Sequence, residues 1–214
     1  MGVVRTIYVV THPEATHHRE GLVGGWYDSD LTAKGLADAV LIARWIRGQI
    51  QVGVTTDIVS SDSLRARRTA EQISYAVGSA VTLDRRLREK SYGIAEGRPQ
   101  RWLDERFVPP PAAGDRLNHD EGIPGAETKG DFAARVYAAM ESITASPAEC
   151  QIIVTHGFAL TFVVAAWIQM PPETLGYVNF RSTPGSITTL RQDDYFHNRQ
   201  VTTLADTRHL GHTG

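Results

Sequence analysis

Short β-branched runs alternate with helical patterns along most of this chain, and that alternation restricts its fold more than any other feature. Thr6 to Val10, Asp57 to Val59 and Ile152 to Val154 read as strands. Thr32 can cap a helix with Leu36, Val40, Ala43 and Ile46 on its apolar side and Lys34, Asp38, Arg44 and Arg47 toward solvent. Further helices are predicted over 64–77 and from Phe132 through Val136, Met140 and Ile143. Residues 157–168 are apolar nearly all round and read as a buried helix, and late strands fall at 185–190 and 200–204. Such an order predicts an α/β layered fold with a mainly parallel sheet. A chain of 214 residues fits one domain spanning 1–214. Residues 91 to 130 break the pattern with Pro109-Pro110-Pro111, several glycines, Trp102, Phe107, Asn118 and His119. This stretch is expected to be a lid-like insertion that covers a site mouth and helps choose the substrate.

Composition narrows the partners. A net charge of −2 and a pI near 6.4 predict neither nucleic acid nor an acidic membrane as partner. The longest apolar stretch, Phe158 to Ile168, is about half the roughly 20 residues that cross a bilayer. Met1 to Arg5 leads straight into a strand rather than a secretory leader, and Cys150 is alone, so a cytoplasmic setting is the default expectation. A homodimer stays open, with Trp45, Trp102, Trp167 or exposed strand edges available to it.

In open α/β sheets ligands bind beyond the carboxyl ends of strands. Three predicted strands deliver His12, the Ser60-Ser61-Asp62 segment and His156 to that edge. Arg65 follows near a helix start, where a planar guanidinium suits phosphate, whereas Arg67 and Arg68 read as a solvated helix face. His12, His17 or His18 could converge with His156 and with Glu14 or Glu89 on a metal, but the spacing matches no ligand motif, and neither metal nor cofactor is expected.

At these residues the chain resembles the histidine phosphatase superfamily, the phosphoglycerate mutase-like enzymes. Thr11-His12-Pro13-Glu14 stands where the family opens with Arg-His-Gly-Glu, and Ser60 to Ala66 is similar to its Ser-Ser-x-x-x-Arg-Ala segment. Leu87-Arg88-Glu89 resembles the acid/base segment, Pro124-Gly125-Ala126-Glu127-Thr128 the element before a long helix, and Val154-Thr155-His156-Gly157 the second histidine motif. The resemblance implies a three-layer sandwich, a small phosphorylated substrate and a phosphohistidine intermediate. In it His12 is the nucleophile, Glu89 the acid/base, and Arg65 and His156 hold phosphoryl oxygens, with Thr11, Glu14, His18 and Gly157 around the substrate. Without the surrounding motif, Glu89 would read as a surface partner of Arg86 or Arg88.

The departures cluster beside the nucleophile. Thr11 replaces an arginine, Pro13 a glycine, and Ala15 and His18 stand where the family has a threonine and an asparagine. Each lost charge-assisted contact costs about 1.5–3 kcal/mol. His18 aligns with the missing asparagine and can supply part of the absent contact; otherwise His17 and His18 are plain loop residues. The alternatives to an atypical phosphatase are altered acid/base chemistry in the same pocket, or a ligand-binding member of the fold without turnover.

Overall fold

A computed structural model describes residues 5–211. Strands β1 (Arg5–Thr11), β2 (Thr56–Ser60), β3 (Val81–Leu83), β4 (Cys150–Thr155), β5 (Ile187–Gln192) and β6 (Arg199–Asp206) form one sheet in the order β3-β2-β4-β1-β5-β6. The pairings from β3 across to β1 are parallel, whereas β5 joins β1 and β6 joins β5 in antiparallel fashion. The helices are α1 (Thr16–Glu20), α2 (Ala33–Gln49), α3 (Leu64–Val77), α4 (Gln100–Asp104), α5 (Lys129–Ala145) and α6 (Ala159–Trp167).

Side chains alternate across each strand, and both faces of the central strands are buried. Tyr8, Val10, Ile58, Ile152 and Val154 meet Ile42, Ile46 and Ile73 of α2 and α3 on one face. Ile7, Val9 and Ile153 meet Phe132, Val136 and Met140 of α5 and Phe162 of α6 on the other. The result is the expected three-layer α/β sandwich, with a mixed sheet that is parallel at its centre. All three core strands lie where their β-branched runs placed them, and α3 spans the predicted 64–77. β3 was not anticipated, because three half-exposed residues carry no readable alternation.

Helix α2 corrects one expectation. Asp38 is buried and bonded to Lys34, while Leu36 is 37% exposed. The inward face is Gly35, Ala39, Ile42, Ala43 and Ile46, rotated from the one read in the sequence. Gly35 sets the rotation: a Cβ there would overlap the Glu14 carbonyl oxygen, so only glycine lets α2 lie against the loop that follows β1. Trp167 is also corrected as an interface candidate, since it is fully buried and its Nε1 donates to the Gln200 carbonyl. Trp45 packs edge-on against Tyr8, and Trp102 lies under the guanidinium groups of Arg98 and Arg106.

Residues 91–130 contain a single 3-10 turn (Gly93–Ala95), α4 and the start of α5 in an otherwise irregular path, and they build a small cluster of their own from Ala95, Leu103 and Ile123 against Val23. Among the described residues no helix is long and apolar enough to cross a membrane.

Gly35→Ala is expected to destabilise the protein by about 1–3 kcal/mol, the usual cost of overpacking a site whose neighbour is backbone. A urea midpoint equal to that of the unsubstituted protein would show that the Glu14 loop yields freely.

Candidate active site

Register brings the two histidines together. Thr11 of β1 pairs with Thr155 of β4, so the next residues, His12 and His156, emerge side by side with ring centroids 5.1 Å apart. Ser60 of β2 pairs with Val154, which brings Ser61 to the same edge. There Ser61 Oγ meets His156 Nε2 at 2.9 Å. Arg65, in the first turn of α3, points back into this edge.

His12 is buried, and its Nδ1 lies 2.8 Å from the Pro13 carbonyl oxygen. A carbonyl only accepts, so Nδ1 carries the proton and Nε2 keeps its lone pair. That lone pair accepts from Arg65 Nε at 3.1 Å. Burial, then the Arg65 charge, holds the His12 pKa well below its ordinary range, so the ring is neutral. Arg65 is 1% exposed, and its Nη1 and Nη2 donate to the carbonyls of Tyr27 and Gly25 at 2.8 and 2.7 Å. Burial lowers even this guanidinium to about 10, which leaves it charged at neutral pH.

Glu89 faces the same cavity. Its Oε1 accepts from Lys90 N and its Oε2 from Phe158 N, both at 2.9 Å, which fixes the carboxyl group. Burial raises its pKa, against the pull of those amides and of Arg65, and so favours a carboxyl that can hold a proton. The loop behind it is held by Arg135, which donates to the carbonyls of Arg86, Arg88 and Glu89 and pairs with Glu127. Trp26 Nε1 also donates to the Glu89 carbonyl.

The cavity encloses about 210 Å³ and is lined by Thr11, His12, His17, His18, Arg65, Glu89, His156 and Gly157, with Gly25, Ser182 and Pro184 completing it. Two of these residues present buried polar atoms with no partner among the described residues, Thr11 Oγ1 and His156 Nδ1. When Ser61 Oγ donates to His156 Nε2, the proton of a neutral His156 sits on Nδ1, as a donor for an incoming anion. Among the described residues no group of three or more His, Cys, Asp or Glu side chains is arranged to hold a metal.

Not every predicted site residue reaches the cavity. Glu14 turns away, its Oε1 accepting from Thr32 Oγ1 at 2.7 Å, so its carboxylate secures the start of α2 rather than lining the pocket. His17 and His18 are not loop residues but part of α1. His17 is buried against Ser29 Oγ at 2.6 Å, whereas His18 stays exposed at the rim. His18 Nδ1 accepts from Ala15 N at 3.2 Å, which leaves its N–H on Nε2, and its ring lies nearly parallel to that of His12. Ser61 lies in the segment that the sequence places at this edge, whereas Trp26 and Arg135 were not singled out. Trp26 and Arg135 act on backbone carbonyls and leave no local pattern.

Burial makes this cluster sensitive to acid. His12, His17 and His156 all have lowered pKa values, His17 from 6.5 to about 3, chiefly through burial. The unfolded chain therefore binds more protons than the folded one below 6.5, and stability falls as pH drops through that window. Glu89, raised instead, contributes with the opposite sign. His17→Asn is expected to flatten the dependence of the urea midpoint on pH between 6.5 and 3; curves parallel to those of the unsubstituted protein would contradict it.

A family model, the histidine phosphatase superfamily (branch 1), matches residues 7–206. The Salmonella paratyphi B protein named "Probable phosphoglycerate mutase GpmB" is 35% identical over 166 residues, covering 77% of this chain and 75% of that protein. The solved structure of Bacillus stearothermophilus YhfR superposes with a TM-score of 0.75 at 26% identity, covering 96% of this chain and 99% of that one. A mycobacterial glucosyl-3-phosphoglycerate phosphatase shares the fold, with a TM-score of 0.74 at 24% identity over 95% of this chain and 100% of that one. Sequence and fold agree in these matches, and the chain belongs to the histidine phosphatase superfamily.

Proposed function

We propose that the chain is a metal-independent phosphomonoesterase acting on a small phosphorylated metabolite through a phosphohistidine. The observation that carries this reading is the neutral His12 ring, whose Nε2 lone pair faces the buried Arg65 guanidinium in a cavity shared with Glu89. Family membership supports phosphoryl transfer in general.

In the proposed reaction the His12 Nε2 lone pair attacks phosphorus in line, and the bond to the ester oxygen breaks. Glu89 gives its proton to the departing oxygen. Arg65 Nε exchanges the lone pair of His12 for a phosphoryl oxygen, so the donor that masks the nucleophile in the free protein becomes the one that stabilises charge in transit. The Glu89 carboxylate then takes a proton from water as the water oxygen attacks phosphorus, the phosphorus–nitrogen bond breaks, and the lone pair returns to His12. Pro13 keeps the Nδ1 proton engaged throughout, which balances the positive charge on the phosphorylated ring.

Thr11 Oγ1, His156 Nδ1 and the Nε2–H of His18 are the candidate replacements for the family contacts this chain lacks. We favour hydrolysis over mutase chemistry because Arg65 supplies the sole guanidinium lining the described pocket, a thin cradle for a second phosphorylated ligand.

His12→Ala is expected to abolish phosphate release from a panel of sugar, nucleotide, organic-acid and aryl phosphates; a substituted protein that keeps most of its rate would remove His12 as nucleophile. Glu89→Gln should slow esters with poor leaving groups by about 10²–10⁴-fold and activated aryl esters far less. Equal losses on both would take away its role as proton donor. Thr11→Arg should raise turnover of generic phosphate esters by roughly ten- to a hundredfold, the worth of one charge-assisted contact. A gain on generic esters together with loss on the native substrate would favour altered chemistry in the same pocket.

A further inference from the structure

We propose that the cavity adjoining the catalytic one is a subsite for an acidic group carried on an apolar or aromatic leaving group. This deepens the phosphomonoesterase reading and rests on it. The adjoining cavity encloses about 220 Å³, and its walls include Lys90, Tyr92, Phe107, Arg116, Lys129 and Phe158.

Its charges do not cancel. Lys90 is 1% exposed and pairs with Glu121 at 2.5 Å, which neutralises one cation. Arg116 and Lys129 have no carboxylate partner among the described residues. Arg116 Nε donates to the Gly176 carbonyl and its Nη1 to that of Pro111. Lys129 Nζ donates to the carbonyls of Gly176 and Val178. Carbonyl oxygens orient these donors without removing their charge, so two half-buried cations face one cavity uncompensated. Burial and the Arg116 charge lower the Lys129 pKa, the direction an arriving anion reverses. Each cation keeps donors to spare, including Arg116 Nη2, which meets no protein acceptor among the described residues.

The rest of the wall is aromatic. Tyr92, Phe107 and Phe158 line the cavity, and Lys129 Nζ lies 5.7 Å from the Phe158 ring centroid. A bare inorganic anion would leave these rings unused, whereas an apolar body bearing a carboxylate satisfies both kinds of wall.

Chain connectivity links the two cavities. Glu89 and Gly157 line the catalytic cavity, and the residues that follow them, Lys90 and Phe158, line the second. The group that protonates the leaving oxygen stands on the leaving-group side, and the neighbours of Glu89 and Gly157 in the chain put the second cavity on that side. Residues 91–130 supply Tyr92, Phe107, Arg116 and Glu121, which assigns this excursion the selection of substrate.

The test compares phenyl phosphate with 4-(carboxymethyl)phenyl phosphate, whose methylene group keeps the two leaving groups alike in acidity. The carboxylated ester is expected to show a kcat/KM ten- to a hundredfold higher, through KM. In Arg116→Gln/Lys129→Gln that preference should vanish while phenyl phosphate kinetics stay unchanged. Lys129→Gln alone should weaken the preference and Lys129→Arg should keep it, which decides the matter if the double variant folds poorly. The same preference in every variant, or none in the unsubstituted protein, overturns the subsite and leaves phosphomonoesterase activity standing. If neither ester is hydrolysed, the catalytic proposal falls instead. Calorimetric binding of the two esters then reads the subsite directly: tighter binding of the carboxylated ester that is lost in the double variant supports it, and equal affinities overturn it.

Discussion

The guanidinium of Arg65 is the point on which this site depends. It is a charge taken out of water, and it is tolerable because its three kinds of nitrogen are all engaged, two by the carbonyls of Gly25 and Tyr27 and one by the His12 ring. Those bonds tie three separate segments together: the strand end that bears His12, the loop at residues 25–27, and the first turn of α3. Burial first, and then this charge, keep His12 and His156 neutral, and the charge tempers the rise in the Glu89 pKa. One buried cation thereby organises the geometry of the cavity and adds to the effect of burial on its protonation.

Around that cation the protein relies on backbone more than on side chains. Pro13 orients the His12 ring through its carbonyl, the amides of Lys90 and Phe158 fix both Glu89 oxygens, and Arg135 and Trp26 grip the loop of Glu89 by its main chain. The sheet register does the rest, since pairing Thr11 with Thr155 places His12 and His156 abreast without any direct bond between them. Preorganisation of this kind leaves little to rearrange when charge develops on a ligand.

Much of the fold was legible in the sequence, because the central strands are buried on both faces and show as continuous β-branched runs. The convergence of His12, Arg65, Glu89 and His156 on one cavity was legible too, since they follow directly on those runs or stand within recognisable segments. The failures have a common cause in contacts between distant elements. The face of α2 turned on the fit of Gly35 against the Glu14 carbonyl, which periodicity within one helix cannot reveal. Glu14 was expected beside substrate, yet its carboxylate engages Thr32 across the loop. The adjoining cavity draws on residues from 90 to 176, in segments whose irregularity hid any sign that they converge.

The hydrogen bond from His12 Nδ1 to the Pro13 carbonyl carries one more consequence. Its acceptor belongs to the main chain, and every residue type at position 13 brings the same oxygen. Proline at this position retains the acceptor that leaves Nε2 as the free ring nitrogen. Position 13 therefore acts on the ring through the conformation of its backbone, not through the chemistry of its side chain.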